Sequence, residues 1–419
     1  METGNACLHH FFLEDLMKRQ PCSTDYWHAR VLNTTPPLNH KELERQMLEA
    51  LKREIPEMCS VTMERACNLQ CHHCLYRPEK SSEALSRANE LPRLVLEAVT
   101  QLPGKKPRLL HEGRILQPWH VDVLAEARGN RSDLQIGLID NGTYVRHLGE
   151  FERRNFLLDW LDISLDGPET VHNAQRGSST AFSDALIGLQ HAREVTKSAP
   201  QGGRITSLFT LTSLNQASFE ETAELLFARQ TPLVDQLHVT TMSPTRPELE
   251  LLEQMDLREF WSQARRVFSR HGSTAQGQQR IFLRLYRHQE LTKLARVVGT
   301  KELSRAFTEG VRFAPGEVYF TLDGVPCIFA PLSLWPGEEF LIDADGRYGM
   351  AYSIGQTLSS LRRGTNENSE DVSGYSVAQL TPGFDLRSLY QKCVDQWWRF
   401  KGQRYLEEEA EIFRLLTRP

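Results

Sequence analysis

The hydrophobic pattern between residues 57 and 245 alternates short apolar runs with longer amphipathic stretches. In the first run, Val61 and Met63 fall on one side of an extended chain and Thr62 and Glu64 on the other. Comparable runs begin near residues 108, 136, 160, 205 and 234. Helical stretches separate these runs at the spacing of parallel β/α units, so the sequence predicts the α/β class.

The segments on either side of this region follow other patterns. Residues 1–56 predict a helical extension, since residues 39–54 carry a single apolar stripe. Residues 246–419 predict an α+β C-terminal domain, with helices at about 247–271, 280–307 and 384–416. Two Asp-Gly pairs between apolar alternation, at 323–324 and 345–346, predict β-hairpins there.

Composition excludes several classes of protein. A net charge of -5 over 419 residues argues against a dedicated nucleic-acid binder. The cluster Arg258, Arg265, Arg266 and Arg270 favours the solvated face of a helix, with a local basic patch as the alternative. No apolar run reaches 18 residues and no signal peptide is visible, so no membrane partner is expected. The 8 cysteines indicate a reducing, cytoplasmic setting.

The strongest chemical signal is three cysteines, Cys67, Cys71 and Cys74, directly after the first predicted strand. Thiolates are soft ligands that select iron–sulfur clusters, zinc or copper(I). Three of them can hold three irons of a 4Fe–4S cube and leave the fourth iron open. A zinc site is the alternative, with His72 or His73 as a fourth ligand.

This C-x₃-C-x₂-C spacing after a strand resembles the radical S-adenosylmethionine (SAM) enzymes. The resemblance implies a partial (β/α)₆ TIM barrel over residues 57–245, with one 4Fe–4S cluster held by Cys67, Cys71 and Cys74. It also implies reductive cleavage of SAM to a 5′-deoxyadenosyl radical, which abstracts hydrogen from a substrate. An electron donor such as flavodoxin or ferredoxin is implied as a partner.

Later segments resemble the parts of this family that hold SAM. Glu112 stands at the glutamate of the family's Gly-Gly-Glu-Pro motif, where Leu110 and His111 replace the glycines, so His111 is included in the expected amino-group site. The Asn141-Gly142-Thr143 segment matches the end of the third strand, with Asp140 replacing a threonine.

The fourth strand gives the closest match, because it ends in Ser164-Leu-Asp166-Gly. Ser164 and Asp166 are two residues apart and would face the same way, which suits a ribose diol. Arg176 is expected to pair with a carboxylate. His73 occupies a position that is commonly aromatic and lies near the adenine, or is simply a loop residue.

The C-terminal domain resembles a SPASM or twitch extension, but after residue 326 it keeps only Cys327 and Cys393. We therefore expect it to lack auxiliary clusters. The candidate hydrogen donors to a substrate radical are Cys327, Tyr319 and Tyr348, although Cys327 also fits a buried apolar thiol. The candidate substrate contacts are His238 and Thr240, at the end of the sixth strand.

The sequence thus predicts a radical SAM enzyme that acts on a small metabolite or peptide in a specialised biosynthetic pathway. The fate of the substrate radical stays open. One alternative is a maturase of ribosomally made peptides, forming a cross-link or an epimer. Others are a non-catalytic, cluster-bearing binding protein and a structural zinc protein.

Overall fold

The computed structural model describes most of the region from residue 55 to residue 397. The described residues are 55, 57–64, 67–74, 89–112, 116–198, 203–241, 256–273, 280–285, 288–314, 317–329, 340–344, 346–350 and 378–397. The predicted helix at 39–54 and the end of the predicted helix at 384–416 lie outside these residues.

Seven parallel strands follow one another in chain order and form the centre of the sheet. They are β1 (Met58–Val61), β2 (Arg108–Glu112), β3 (Gln135–Asp140), β4 (Trp160–Ser164), β5 (Arg204–Leu211), β6 (Gln236–Thr241) and β7 (Ile281–Leu285). The first six confirm the predicted parallel β/α order. Their carboxyl ends lie along one edge, where β/α barrels carry their sites.

Helices connect these strands and cover one face of the sheet. They are α1 (Leu91–Gln101), α2 (Pro118–Asn130), α3 (Leu148–Arg153), α4 (Glu169–Arg176), α5 (Ala181–Ser198), α6 (Phe219–Phe227) and α7 (Leu257–His271), followed by α8 (His288–Val298), α9 (Thr300–Thr308) and α10 (Leu386–Trp397). None of the helices within the described residues combines the length and apolar character that crossing a membrane requires.

The C-terminal strands extend the same sheet at both ends. They are β8 (Val311–Ala314), β9 (Glu317–Leu322), β10 (Val325–Phe329), β11 (Phe340–Ile342), β12 (Arg347–Met350) and β13 (Ala378–Gln379). The order is β13-β12-β11-β1-β2-β3-β4-β5-β6-β7-β10-β9-β8, so β13 and β8 are its edges. This open parallel sheet with helices confirms the α/β class and fits a partial barrel.

Both predicted hairpins are present, formed by β9 with β10 and by β11 with β12. At the first turn Asp323 and Gly324 both have positive φ, as a tight hairpin turn requires. The predicted helix at 280–307 is wrong at its start, because residues 281–285 form β7. A short apolar run fits a buried strand and a buried helix equally well by periodicity, and here pairing with β6 and β10 decides.

The sheet has two faces of different character. Register partners in parallel strands point to the same side, and residues alternate between sides. The outer face carries Ile163, Phe209, Val239 and Leu283, which are buried among the helices, and Phe209 packs on Phe219 of α6. The opposite, inner face holds most of the strand positions that keep partial exposure.

Gly142, in the turn after β3, lets α5 approach the sheet closely. Its φ is 97°, a left-handed value that favours glycine. A Cβ atom at Gly142 would lie 2.4 Å from the Cα atom of Ala185 in α5. The turn beside the candidate site therefore depends on having no side chain at this position.

We expect Gly142→Ala to destabilise the protein by at least about 2 kcal/mol, because backbone strain and a clash with α5 act together. Urea unfolding of the full chain measures this change. Gly299→Ala is the matched control, since Gly299 also has positive φ but has no atom within 4 Å of an added Cβ. Equal losses in the two variants would contradict the role of close packing.

Candidate functional site

The cysteine loop follows β1 and is attached to the C-terminal end of α4. The backbone N–H of Gln70 donates to the carbonyl of Arg176 at 3.1 Å, and that of His72 donates to Gln175 at 3.0 Å. Within the loop, the N–H of Cys74 donates to the carbonyl of Cys71 at 3.2 Å. The last carbonyls of a helix have no partner within the helix, so the loop supplies partners for α4 while α4 fixes the loop.

Gly177 makes this attachment possible. It ends α4 with a φ of 64°, and a Cβ atom there would lie 2.7 Å from the carbonyl oxygen of Gln70. A left-handed glycine after the last helical residue is the common way to end a helix. In this chain the same glycine also lets the cysteine loop lie directly against the helix end.

A buried ion pair lies beneath the loop. The Nε atom of Arg176 donates to Oδ2 of Asp166 at 2.5 Å, and the side chains are 9% and 0% exposed. The other oxygen of the Asp166 carboxylate accepts the backbone N–H of Thr210 at 2.8 Å. Both oxygens of Asp166 therefore have partners within the protein.

The backbone of Asp166 is held as firmly as its side chain. Its N–H donates to Nδ1 of His172 at 2.9 Å, and its carbonyl accepts from the side-chain amide of Asn215 at 2.9 Å. Burial alone would raise the pKa of Asp166, but the charge of Arg176 holds that pKa below its ordinary value. Asp166 is thus a carboxylate that joins the ends of β4 and β5 to α4.

The ion pair reaches the cysteine loop through Arg176. Its Nη1 atom lies 3.8 Å from Sγ of Cys71. Burial raises the pKa of the Cys71 thiol to about 11, although Arg176 acts in the opposite direction, and Cys74 and Cys67 add to the increase. Cys67 and Cys74 therefore lie close enough to Cys71 to affect the charge of its thiol.

His73 also contacts this pair instead of facing outward. Its Nε2 atom lies 3.9 Å from Oδ2 of Asp166, and its side chain is 9% exposed. Burial, with a further effect of the Arg176 charge, lowers the pKa of His73 to about 3, so the imidazole is neutral. Contact of His73 with an adenine stays a prediction. The structure places the His73 side chain against Asp166.

Glu112 and His111 lie on opposite faces of β2. His111 pairs in register with Leu138 on the outer face, and its Nε2 atom is 3.1 Å from Nδ1 of His120 in α2. The backbone N–H of Gln117 also donates to Nδ1 of His120. Because this Nδ1 atom is an acceptor, the proton between the two rings is on Nε2 of His111. Alternation along β2 thus places Glu112 on the inner face and turns His111 away from it, and a contact of His111 with SAM stays a prediction.

Asn141 connects the third strand to the cysteine loop. Its side-chain amide donates to Oδ1 of Asn68 at 2.8 Å, and its own Oδ1 atom accepts from the Thr143 hydroxyl at 2.8 Å. Asp140, one residue earlier, accepts the N–H groups of Gly142 and Tyr144 through Oδ1. Its Oδ2 atom is buried without a hydrogen-bond partner.

The inner face carries a group of polar side chains below Ser164. The register places Leu208 between Ser164 and His238. It also places Thr240 beside Arg284 of β7. Asp162 and Arg204 lie on the same face. Sequence reasoning found Ser164, His238 and Thr240 but missed the two arginines and Asp162, although Asp162 stands two residues before Ser164 and alternation would have pointed to it.

These inner-face groups affect one another's charge. Burial lowers the pKa of His238 to about 3, and the guanidinium groups of Arg204 and Arg284 lower it further. Burial raises the pKa of Asp162, with Arg204 acting in the opposite direction. The inner face thus offers a neutral imidazole, a carboxyl group and two guanidinium groups.

Two of the three candidate hydrogen donors lie on the outer face of the sheet. Cys327 pairs in register with Leu283, is fully buried on the outer face, and has a pKa raised by burial. Tyr348 also points outward, where it stacks on Phe340 with ring centroids 5.7 Å apart. Alternation along the strands turns both side chains away from the inner face, and their role as hydrogen donors stays a prediction. Tyr319 pairs with Ile328, on the inner side, and stays a candidate.

The arginine cluster of α7 lies on the surface, as expected for a solvated helix face. Arg266 and Arg270 both pair with Glu220, and Arg265 lies 3.9 Å from Asp323. With Arg258 they line a surface hollow of about 830 Å³. Acidic partners thus accompany most of the cluster.

The donor set at the loop fits an iron–sulfur cluster. The three thiols come from one loop, all are partly exposed, and a buried cation lies beside one of them. A cube of four irons spreads its thiolates over separate irons, so its ligands need not converge on one point. Among the described residues, no three His, Cys, Asp or Glu side chains are placed to hold a single metal ion.

Asp140 generates a pH-dependent prediction. Burial raises its pKa from 3.8 to about 6, with the donors from Tyr144 and Gly142 partly offsetting the increase. The folded state then holds a proton that the unfolded state has lost, so stability falls as pH rises from about 4 to about 6. The variant Asp140→Asn has no carboxyl proton to lose. We therefore expect its free energy of unfolding, relative to wild type, to rise by up to about 3 kcal/mol across that window.

Urea unfolding of the metal-free protein between pH 4 and pH 7 tests this expectation. Asp133→Asn is the control, because Asp133 is 43% exposed and pairs with Arg131 at the surface. Stability curves of wild type and Asp140→Asn that run parallel across the window would contradict the raised pKa.

Comparisons with known proteins find structures but no sequence families. No protein-family model matches the chain, and no curated protein does. The crystal structure of Streptococcus suis SuiB is similar at 12% identity and a TM-score of 0.48, over 85% of this chain and 73% of that one.

Two further solved structures are similar over most of their length. Native anSMEcpe with bound AdoMet is 12% identical, with a TM-score of 0.42, over 85% of this chain and 100% of that one. Coproporphyrinogen III oxidase (HemN) from Escherichia coli, described as a radical SAM enzyme, is 13% identical, with a TM-score of 0.42, over 90% and 84%. Identities this low, with TM-scores below 0.5, leave the activity to be argued from the residues of this chain.

Proposed function

We propose that this protein is a radical SAM enzyme that uses one 4Fe–4S cluster. The observation that carries the proposal is the position of the cysteine loop. Cys67, Cys71 and Cys74 follow β1 at the carboxyl edge of the parallel sheet, and the end of α4 holds their loop there. A bound cluster of this kind supplies a single electron that cleaves SAM and so generates a radical able to abstract hydrogen.

The chain's own residues then bind and orient SAM. Glu112 is the acidic group on the inner face of β2, and it suits the amino group of SAM. Ser164 ends β4 on the same face and can donate to a ribose oxygen or a carboxylate. Asn141 is fixed against Asn68 of the cysteine loop and so links this site to the cluster site.

Asp166 takes a different role from the one its motif implies. Both of its carboxylate oxygens are used inside the protein, and the side chain has no exposed surface. A buried, fully hydrogen-bonded carboxylate is suited to holding structure, not to binding a ribose. We assign Asp166 and Arg176 to the support of the cysteine loop.

The substrate is proposed to bind on the inner face, next to His238 and Thr240. Arg284 lies beside Thr240 in the register, and Asp162 lies deeper on the same face. A guanidinium group binds a carboxylate through two parallel hydrogen bonds, and Asp162 can accept from an ammonium or hydroxyl group. These groups suit a small metabolite or a peptide that presents a carboxylate. Tyr319 is the phenol that could return a hydrogen atom.

Three other functions remain as alternatives. A peptide maturase would use the same cluster and SAM residues, and tight binding of a precursor peptide would distinguish it. A non-catalytic protein would hold the cluster without cleaving SAM, since Leu110 and His111 replace the two glycines of the amino-group motif. A structural zinc protein would be colourless and would contain no acid-labile sulfide.

We expect the anaerobically reconstituted protein to release 5′-deoxyadenosine from SAM in the presence of dithionite, because a bound cluster would pass one electron from dithionite to the sulfonium of SAM. Chromatography of the products measures the release. Cys71→Ala should lose it, since only two thiolates remain in the loop. Cys327→Ala is the matched cysteine control and should keep it, because Cys327 lies on the outer face. A protein that carries a full cluster and releases nothing would favour the non-catalytic alternative.

Glu112→Gln should weaken SAM binding about tenfold or more, because a charged hydrogen bond to the amino group contributes about 1.5–3 kcal/mol. Calorimetric titration of SAM into the cluster-loaded protein measures the dissociation constant. Glu126→Gln, at an exposed position of α2, is the control for loss of one negative charge. Unchanged affinity in Glu112→Gln would remove Glu112 from the proposed site.

A further inference from the structure

Arg176 lies between a carboxylate and a cysteine sulfur. Its Nε atom donates to the Asp166 carboxylate at 2.5 Å, and its Nη1 atom lies 3.8 Å from the sulfur of Cys71. The side chain is 9% exposed, so solvent screens neither contact strongly. A guanidinium group keeps its charge in any protein environment, and here that charge is fixed beside one of the three loop sulfurs.

The position of the guanidinium group is determined from several directions. Asp166 is held by the Thr210 N–H, by His172 and by Asn215, so the carboxylate that Arg176 contacts cannot rotate away. Arg176 is also the last residue of α4, and its own carbonyl accepts from the cysteine loop. The side chain and the backbone of Arg176 therefore both contact the loop, which fixes the distance between the guanidinium group and Cys71.

We propose that Arg176 raises the reduction potential of the cluster through Cys71. Hydrogen bonds and positive charge near ligating sulfurs stabilise the more negative, reduced form of an iron–sulfur cluster. A bound cluster would become more negative on gaining one electron. A fixed cation beside one thiolate would therefore favour the reduced state. This inference rests on the proposed function, and Arg176 acts as a positioning residue that touches the ligand and not the substrate.

The position of Arg176 explains why the pair with Asp166 is buried. An isolated arginine beneath the loop would be costly to bury, whereas a paired one is neutralised on the side away from the cysteine. Asp166 accepts from Nε, which turns the Nη1 side of the planar group toward Cys71. The carboxylate thus orients the guanidinium group, and the guanidinium group acts on the sulfur.

The test measures the reduction midpoint potential of the reconstituted cluster in the full-length protein without SAM. Electron paramagnetic resonance monitors the cluster during a redox titration. Arg176→Gln removes the charge but leaves Asp166 buried without its partner. The double variant Asp166→Asn with Arg176→Gln avoids that unpaired charge and keeps the comparison valid if the single variant fails to fold. Arg153→Gln is the matched control, since Arg153 pairs with Glu150 and is 66% exposed.

We expect the midpoint of the double variant to fall by at least 59 mV, which is a tenfold change in the ratio of reduced to oxidised cluster for one electron. Arg153→Gln should leave the midpoint unchanged. A double variant with a full cluster and the wild-type midpoint would overturn the inference and leave the proposed function intact. Failure of the wild-type protein to form a cluster would instead overturn the proposed function.

Discussion

The buried ion pair between Asp166 and Arg176 is the interaction on which the candidate site depends. It joins β4 and β5, through Asp166, to the end of α4, and α4 holds the cysteine loop through two backbone hydrogen bonds. Removing one partner would leave a charge in a site that solvent cannot reach, which is among the costlier changes a protein can suffer. The loop would then lose the support that places its cysteines at the edge of the sheet.

The parallel sheet divides chemistry from packing. One face carries the apolar residues that pack on the helices, and the other carries the polar groups near the cysteine loop. Side chains alternate between the two faces along a strand, so a shift of one residue in sequence moves a side chain from the packing face to the polar face. Glu112 and His111 are neighbours in sequence, yet Glu112 lies on the inner face, while His111 bonds to His120 in the core.

Neutral imidazoles accompany the charged groups of the candidate site. His238 on the inner face and His73 in the cysteine loop are both neutral, because burial and nearby guanidinium groups oppose their protonation. Neutral imidazoles can donate or accept hydrogen bonds without adding charge to the site. The cationic groups that remain are arginines, which suit planar anions such as carboxylates. Residues after 245 complete this surface, because β7 carries Arg284 on the same face and continues the sheet.

The sequence by itself determined the elements whose signals are local. The order of the first six strands, both Asp-Gly hairpins and the three-cysteine loop follow from short-range alternation, turn residues and spacing, which act within a few residues. Tertiary structure decided the direction of side chains and the partners of charges. Residues 281–285 became a strand through pairing with β6 and β10, and Cys327 and Tyr348 turned outward because of register. Asp166 pairs with Arg176, and this contact was decided by the tertiary structure, since burial and a partner ten residues away are set only when the chain folds.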